Sequence, residues 1–262
     1  MDKLVRDGIG LAYEISGSGE PPLVFVHGWC CDHTYFAPQV ERFRRDHRVL
    51  AVDLRGHGAS DQPVQDYTAE VFADDVAWLC ERLDVGRPVV IGHSMGGIVA
   101  LALAVRHPAL PRAIAALDSP LPPLAGGTAA REALLASLAG PGYQASARRY
   151  CDDNFFLPTD DPVRRARILD AMTAAPQHVM VSAMAAIAHY DSAPALQALA
   201  VPLLYVAANE EKPRADVARL RTLCRTLTYG QTVGSGHFLQ LEVPDQVNAM
   251  LARFLYLIPH SA

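Results

Sequence analysis

The sequence predicts an α/β fold: a mostly parallel, doubly wound sheet with a helical cap inserted into it. Three observations carry this. Short apolar runs of strand type alternate with helical patterns toward both ends of the chain; the alternation stops after Asp118 and resumes near Val201; and Pro88-Val89-Val90-Ile91 runs directly into Gly92-His93-Ser94-Met95-Gly96 and then an apolar helix. Parallel neighbours need crossover helices on the sheet faces, so their strands are covered on both sides and read as continuous apolar runs.

Taken in order, residues 4–15 hold β-type residues broken by Asp7-Gly8, a hairpin signal that predicts two antiparallel edge strands. Ser16-Gly17-Ser18-Gly19 and Pro21-Pro22 form the turn out of them. The alternation then predicts strands at 23–26, 49–53, 89–91 and 114–117, separated by helices at 36–45, 69–83 and 95–106. From 119 to 195 the apolar spacing is helical, at 129–138, 143–154, 162–174 and 178–189, with prolines between and no strand pattern. Strands at 201–207 and 228–233 and helices at 215–226 and 244–257 complete the chain. The expected organisation is a core of residues 1–118 and 196–262, with residues 119–195 as a cap entered through Ser119-Pro120-Leu121-Pro122-Pro123.

Half of the 262 residues are hydrophobic, enough for one large domain with a full core. A formal charge of −5 without any Lys/Arg run gives no footprint for nucleic acid or an anionic membrane, so a small-molecule partner is expected. The first residues lack the apolar core of a signal peptide and no stretch has transmembrane length, which predicts a cytoplasmic protein. The five cysteines, Cys30, Cys31, Cys80, Cys151 and Cys224, show neither disulfide-framework nor zinc-site spacing and are expected to be buried thiols. Neither a metal nor a cofactor is expected, because Gly-x-Gly-x-x-Gly and Gly-Lys-Ser/Thr are both missing.

Ser94 stands where a strand turns sharply into a helix, a conformation that needs small neighbours. Gly92 and Gly96 supply them, and Gly97 is expected to add slack. The helix start offers free N–H groups that stabilise negative charge. A packing turn would use the same glycines, so the rest of the chain decides. His27-Gly28-Trp29 follows the strand 23–26, and Asp53-Leu54-Arg55-Gly56-His57-Gly58-Ala59-Ser60-Asp61 follows the strand 49–53.

These motifs, in this order and with the Gly-His-Ser-Met-Gly elbow third, resemble the α/β-hydrolase superfamily over essentially the whole chain. The resemblance implies an α/β-hydrolase fold and Ser94 as nucleophile. His237, in Gly234-Ser235-Gly236-His237-Phe238 after the last strand, corresponds to the family's base. A serine hydroxyl needs such a base, and the base needs a carboxylate to orient it. Most relatives carry that acid as an Asp in the loop after the strand that here is 201–207, where this chain reads Ala207-Ala208-Asn209-Glu210-Glu211-Lys212 and Glu211 takes the position by counting. Asp118, 24 residues beyond Ser94 at the carboxyl end of the strand 114–117, is the rival and the preferred assignment. Zearalenone-lactone hydrolases resemble this chain in placing the acid there. The backbone N–H groups of Met95 and Trp29 are the expected oxyanion donors.

A serine nucleophile disfavours the dehalogenases and epoxide hydrolases of the superfamily, which resemble one another in using an aspartate. The resemblance therefore implies acyl transfer to water, on a small, largely apolar ester or lactone. Phe155, Phe156, Met172, Met180, Met184 and Tyr190 offer an apolar lid, and no Arg or Lys is visibly aimed at an anionic group. Carbon–carbon bond hydrolysis, perhydrolase-like or cofactor-free oxygenase chemistry and a ligand receptor with little turnover are the alternatives on this fold. The oligomeric state is left open.

Overall fold

The computed structural model describes residues 1–124, 127–211 and 213–259. In chain order the elements are β1 (Asp2–Arg6), β2 (Ile9–Ser16), β3 (Leu23–Val26), α1 (Ala37–Phe43), β4 (Val49–Val52), α2 (Ala69–Arg82), β5 (Val89–His93), α3 (Met95–Arg106) and β6 (Ala113–Leu117). Five helices follow: α4 (Gly127–Leu138), α5 (Tyr143–Phe155), α6 (Pro162–Thr173), α7 (Gln177–His189) and α8 (Ser192–Ala198). The chain ends with β7 (Leu203–Ala207), α9 (Val217–Leu223), β8 (Leu227–Gln231), α10 (Leu239–Glu242) and α11 (Pro244–Leu257). No described helix is long and apolar enough to cross a membrane.

One eight-stranded sheet runs β1-β2-β4-β3-β5-β6-β7-β8. β1 and β2 pair antiparallel through the Asp7-Gly8 turn, both residues of which have positive φ (51° and 81°), and β2 joins β4 antiparallel; all other neighbours are parallel. Strand order reverses around β3, so β3 and β5, the strands that lead to Trp29 and Ser94, lie side by side in the centre. Ligands of open parallel sheets bind at the carboxyl ends of such strands.

β3 to β7 are buried at every position. Successive side chains feed two cores, as the two-residue period requires: Val24 and Val26 pack toward α2, α3 and the cap, while Leu23 and Phe25 pack toward α1 and α11. Helix α3 is buried on all sides through its first ten residues, which explains an apolar run without amphipathic pattern. Thr68, Asp161 and Asp216 cap α2, α6 and α9 by accepting N–H bonds from Val71, Arg164 and Arg219.

Two of the differences from the sequence expectation have a clear local cause. α8 extends helical structure to Ala198 where a connecting segment is expected; Asp191 caps it, and Pro194 falls in its first turn, where a missing N–H removes no helical bond. The helix expected over 215–226 is confined to Val217–Leu223, because the preceding residues follow an extended path in which Ala215 bridges Pro123.

Candidate active site

Ser94 sits between β5 and α3 with φ 52° and ψ −117°, a strained conformation for a residue with a Cβ. The turn closes only because its neighbours are glycines. A Cβ on Gly92 would lie 2.0 Å from the Gly96 carbonyl oxygen, and one on Gly96 would lie 2.0 Å from that of Val26. Gly97 does not supply slack: a Cβ there would meet the Ser119 Oγ at 2.6 Å. Ser119 Oγ in turn donates to the Ser94 carbonyl at 2.7 Å, and Tyr205 donates its hydroxyl to the Ser119 carbonyl at 2.7 Å. The elbow is thus held from β6 and β7 as well as from its own strand.

His237 lies in the loop between β8 and α10. Its Nδ1 donates to Asp118 Oδ2 at 2.7 Å, which fixes the tautomer and leaves Nε2 unprotonated. The imidazole is clamped on several sides: its backbone N–H donates to the Phe155 carbonyl at 3.1 Å, the Phe155 ring packs on it at 4.5 Å between centroids, and buried His93 donates from Nε2 to its carbonyl at 2.8 Å. Glu242 accepts from the N–H groups of Gly236 and Phe238 on either side. Burial first, and the Arg214 cation second, hold His237 well below the usual histidine value, so the resting imidazole is neutral. His93 is pushed down to about 3 by burial and by His237, which makes it a neutral structural donor.

Asp118 is buried at the end of β6 with φ 42°. Burial pushes its carboxyl up; Arg214 and the Ala208 N–H, which donates to Oδ1 at 3.1 Å, oppose that. Glu211 is exposed and makes no hydrogen bond among the described residues. Its neighbour Glu210 turns inward instead and pairs with Arg214 at 3.1 Å, while Arg214 Nε stands 3.6 Å from Asp118 Oδ2. Burial pushes Glu210 up to about 7 against the pull of Arg214. Asp118, Glu210 and His237 bring potential ligand atoms within 4.8 Å of one another, and the Arg214 guanidinium lies against both carboxylates.

Of the expected oxyanion donors, Met95 directly follows Ser94 in the chain and Trp29 lines the same cavity as Ser94. The N–H groups of Trp29 and Met95 have no hydrogen-bond partner among the described residues. Trp29 donates its indole N–H to the Met180 carbonyl at 2.9 Å, which ties the loop after β3 to α7. His27 accepts from Leu54 N–H at Nε2 (3.0 Å) and donates from Nδ1 to the Gly28 carbonyl (2.8 Å). The loop from Asp53 to Ser60 is likewise structural: Asp53 accepts from His33 and Ala59, and Ser60 bridges the Asp53 carbonyl and the Ala12 N–H.

Ser94 and His237 line one cavity of about 280 Å³, at the small end for ligand sites. Phe155 and Met184 of the expected lid line it, with Trp29, Pro120 and Ile187. Met172 and Met180 are core residues, Phe156 packs on Phe238, and Tyr190 borders a different cavity. Against the expectation that no Arg or Lys is aimed at an anionic group, Arg131 of α4 and Arg214 both line the cavity. All five cysteines are buried, and burial raises Cys30 and Cys31 well above the usual thiol value; both border a separate cavity beside His57.

The molecule is similar to known proteins along its whole length. The solved enol-lactonase from Burkholderia xenovorans LB400 superposes with a TM-score of 0.87 over 97% of this chain and 100% of its own, at 26% identity. The 3-oxoadipate enol-lactonase 2 of Acinetobacter baylyi is 26% identical, with 97% of each chain covered. The 2-(acetamidomethylene)succinate hydrolase of Mesorhizobium japonicum is 38% identical over 102 residues; this match spans 39% of the chain and only 36% of that relative's length. Residues 21–244 match the family described as the alpha/beta hydrolase fold, and the chain belongs to that family.

Proposed function

We propose that the protein is a serine hydrolase that cleaves a small carboxylic ester or lactone through an acyl-enzyme on Ser94. The observation that carries this reading is the 2.7 Å bond from His237 Nδ1 to Asp118 Oδ2, beside a cavity that Ser94 and His237 share. With Nδ1–H committed to Asp118, the Nε2 lone pair of His237 takes the Ser94 proton as the serine oxygen attacks the carbonyl carbon. The negative oxygen accepts from the N–H groups of Trp29 and Met95. Collapse expels the alcohol, which Nε2–H protonates; in a lactone that hydroxyl stays attached to the acyl chain. Water then repeats the attack with His237 as base and frees Ser94. Asp118 orients the imidazole and balances its charge when protonated, and Arg214 is shared by Asp118 and Glu210.

Support also comes from whole-length similarity to enol-lactonases. The test is Ser94→Ala assayed on a short-chain para-nitrophenyl ester. Turnover should vanish while the circular dichroism spectrum and melting temperature persist, and undiminished turnover would refute the assignment.

A further inference from the structure

We propose that the substrate carries a carboxylate and that Arg131, on cap helix α4, binds it. This rests on the hydrolytic reading above and names the class of ester or lactone that the site takes.

The charge lining the cavity runs against that of the chain. The protein has a formal charge of −5, yet among the described residues the charged side chains lining this cavity are Arg131 and Arg214, and none is acidic. The two arginines differ in what holds them. Arg214 is occupied by Glu210, Asp118 and the Asn154 carbonyl and lies over the Phe155 ring. Arg131 is half-buried and has neither an ion pair nor a hydrogen bond among the described residues. Its acidic neighbour Glu132 points elsewhere and pairs with His189 at 2.9 Å. A partly desolvated guanidinium without a counter-ion is costly, and a ligand carboxylate offsets that cost.

A second donor stands with it. Tyr150 of α5 lines the same cavity and its hydroxyl has no partner among the described residues. A planar guanidinium fork beside a phenol suits a carboxylate, which can accept two parallel N–H bonds and a third from the hydroxyl. Trp29, Met184 and Ile187 add apolar lining in the same cavity for the chain that joins such a carboxylate to the reacting carbonyl. A cavity of about 280 Å³ restricts this chain to a short one.

Two para-nitrophenyl esters with acyl chains of equal length test the proposal, the pentanoate and the hydrogen glutarate. The wild-type protein should prefer the glutarate by about tenfold to a hundredfold in kcat/KM, the size of a hydrogen-bonded charge contact. Arg131→Met should bring the ratio close to one, and Arg131→Lys should keep part of it. A wild-type ratio near one, or a ratio unmoved by Arg131→Met, overturns the carboxylate site while hydrolysis of the pentanoate leaves the enzyme reading standing. If neither ester is turned over, the hydrolytic reading fails, and calorimetric titration with glutarate decides the site by itself. Binding to wild type that Arg131→Met weakens by tenfold or more supports it; no binding to wild type overturns it.

Discussion

Replacing Asp118 by Asn separates the two carboxylates that the sequence offers, and its effect follows from the bonds at this side chain. The carboxylate accepts twice, from His237 Nδ1 at 2.7 Å and from Ala208 N–H at 3.1 Å. An amide in the same pose keeps only one of these acceptors. If its oxygen stays on Ala208, its NH₂ faces His237 and must donate to Nδ1, which moves the ring proton to Nε2 and removes the lone pair that accepts from Ser94. If it flips, the NH₂ opposes the Ala208 N–H and leaves two donors in conflict in a buried site. Only the first pose avoids that conflict, and in it the base is in the wrong form. A wrong-tautomer base costs about 10⁴-fold in turnover, or about 5 kcal/mol of transition-state stabilisation. The assay is kcat/KM on a short-chain ester, with thermal melting as the check on folding. Glu211→Gln, at an exposed position with no hydrogen-bond partner among the described residues, should stay within about twofold of wild type. A loss of less than tenfold in Asp118→Asn at preserved folding, or an equal loss in Glu211→Gln, would refute the assignment.

Three further outcomes are expected. His237 is held below the ordinary value of 6.5, so its base form persists as pH falls past that value; the acidic limb of kcat/KM should lie below pH 6.5, and a limb above 7 would contradict it. Gly92→Ala and Gly96→Ala push a Cβ to 2.0 Å from backbone oxygens and should abolish soluble folded protein. Gly97→Ala brings a Cβ to 2.6 Å from Ser119 Oγ and 2.7 Å from Ser119 Cβ, so relief needs a shift of the chain after β6 and not a side-chain rotation alone; it should cost about 3 kcal/mol by chemical denaturation, and a loss below about 1 kcal/mol would count against this reading. Asp75→Asn removes the buried carboxylate shared by Arg55 and Arg6 and should cost about 3–5 kcal/mol in urea unfolding; a change below 1 kcal/mol would show that the pair is solvated.

The sheet was legible because burial on both faces writes itself as uninterrupted apolar runs, as in Leu23–Val26, and the elbow was legible because Gly92 and Gly96 answer to atoms close by. Features set by distant partners were not. Gly97 read as slack because the atom it must avoid belongs to Ser119, which comes beside it only when β5 and β6 pair. Nothing in the sequence singles out Arg131, since which face of α4 meets the cavity depends on how the cap packs. Arg214 gave no sign either. Its partners Asp118 and Glu210 lie at the ends of different strands.

The acid shows the same limit from the other side. β6 and β7 run parallel with Leu117 opposite Val206, so the loops that carry Asp118 and Glu210-Glu211 leave the sheet side by side. Both loops can reach the histidine, and residue type does not separate them. Backbone pairing does. Asp118 N–H continues the ladder by donating to the Val206 carbonyl at 2.8 Å, and Ala208 N–H returns a bond to the Asp118 carboxylate at 3.1 Å. A side chain one residue past the strand end, tied at both backbone and carboxylate, points at one place. Glu211 lies four residues past the end of β7, after Asn209 has turned to donate to the Ser235 carbonyl, and its side chain emerges into solvent. The loop that lacks the usual aspartate holds Glu210 and Arg214 instead, so that a cation lies against the Asp118 carboxylate. On this reasoning, restoring an aspartate at Glu211 should not rescue Asp118→Asn, because the route of that loop, rather than the length of its side chain, keeps the carboxylate away. Recovery of more than a tenth of wild-type turnover in the double variant Asp118→Asn, Glu211→Asp would show the loop free to rearrange and the argument wrong.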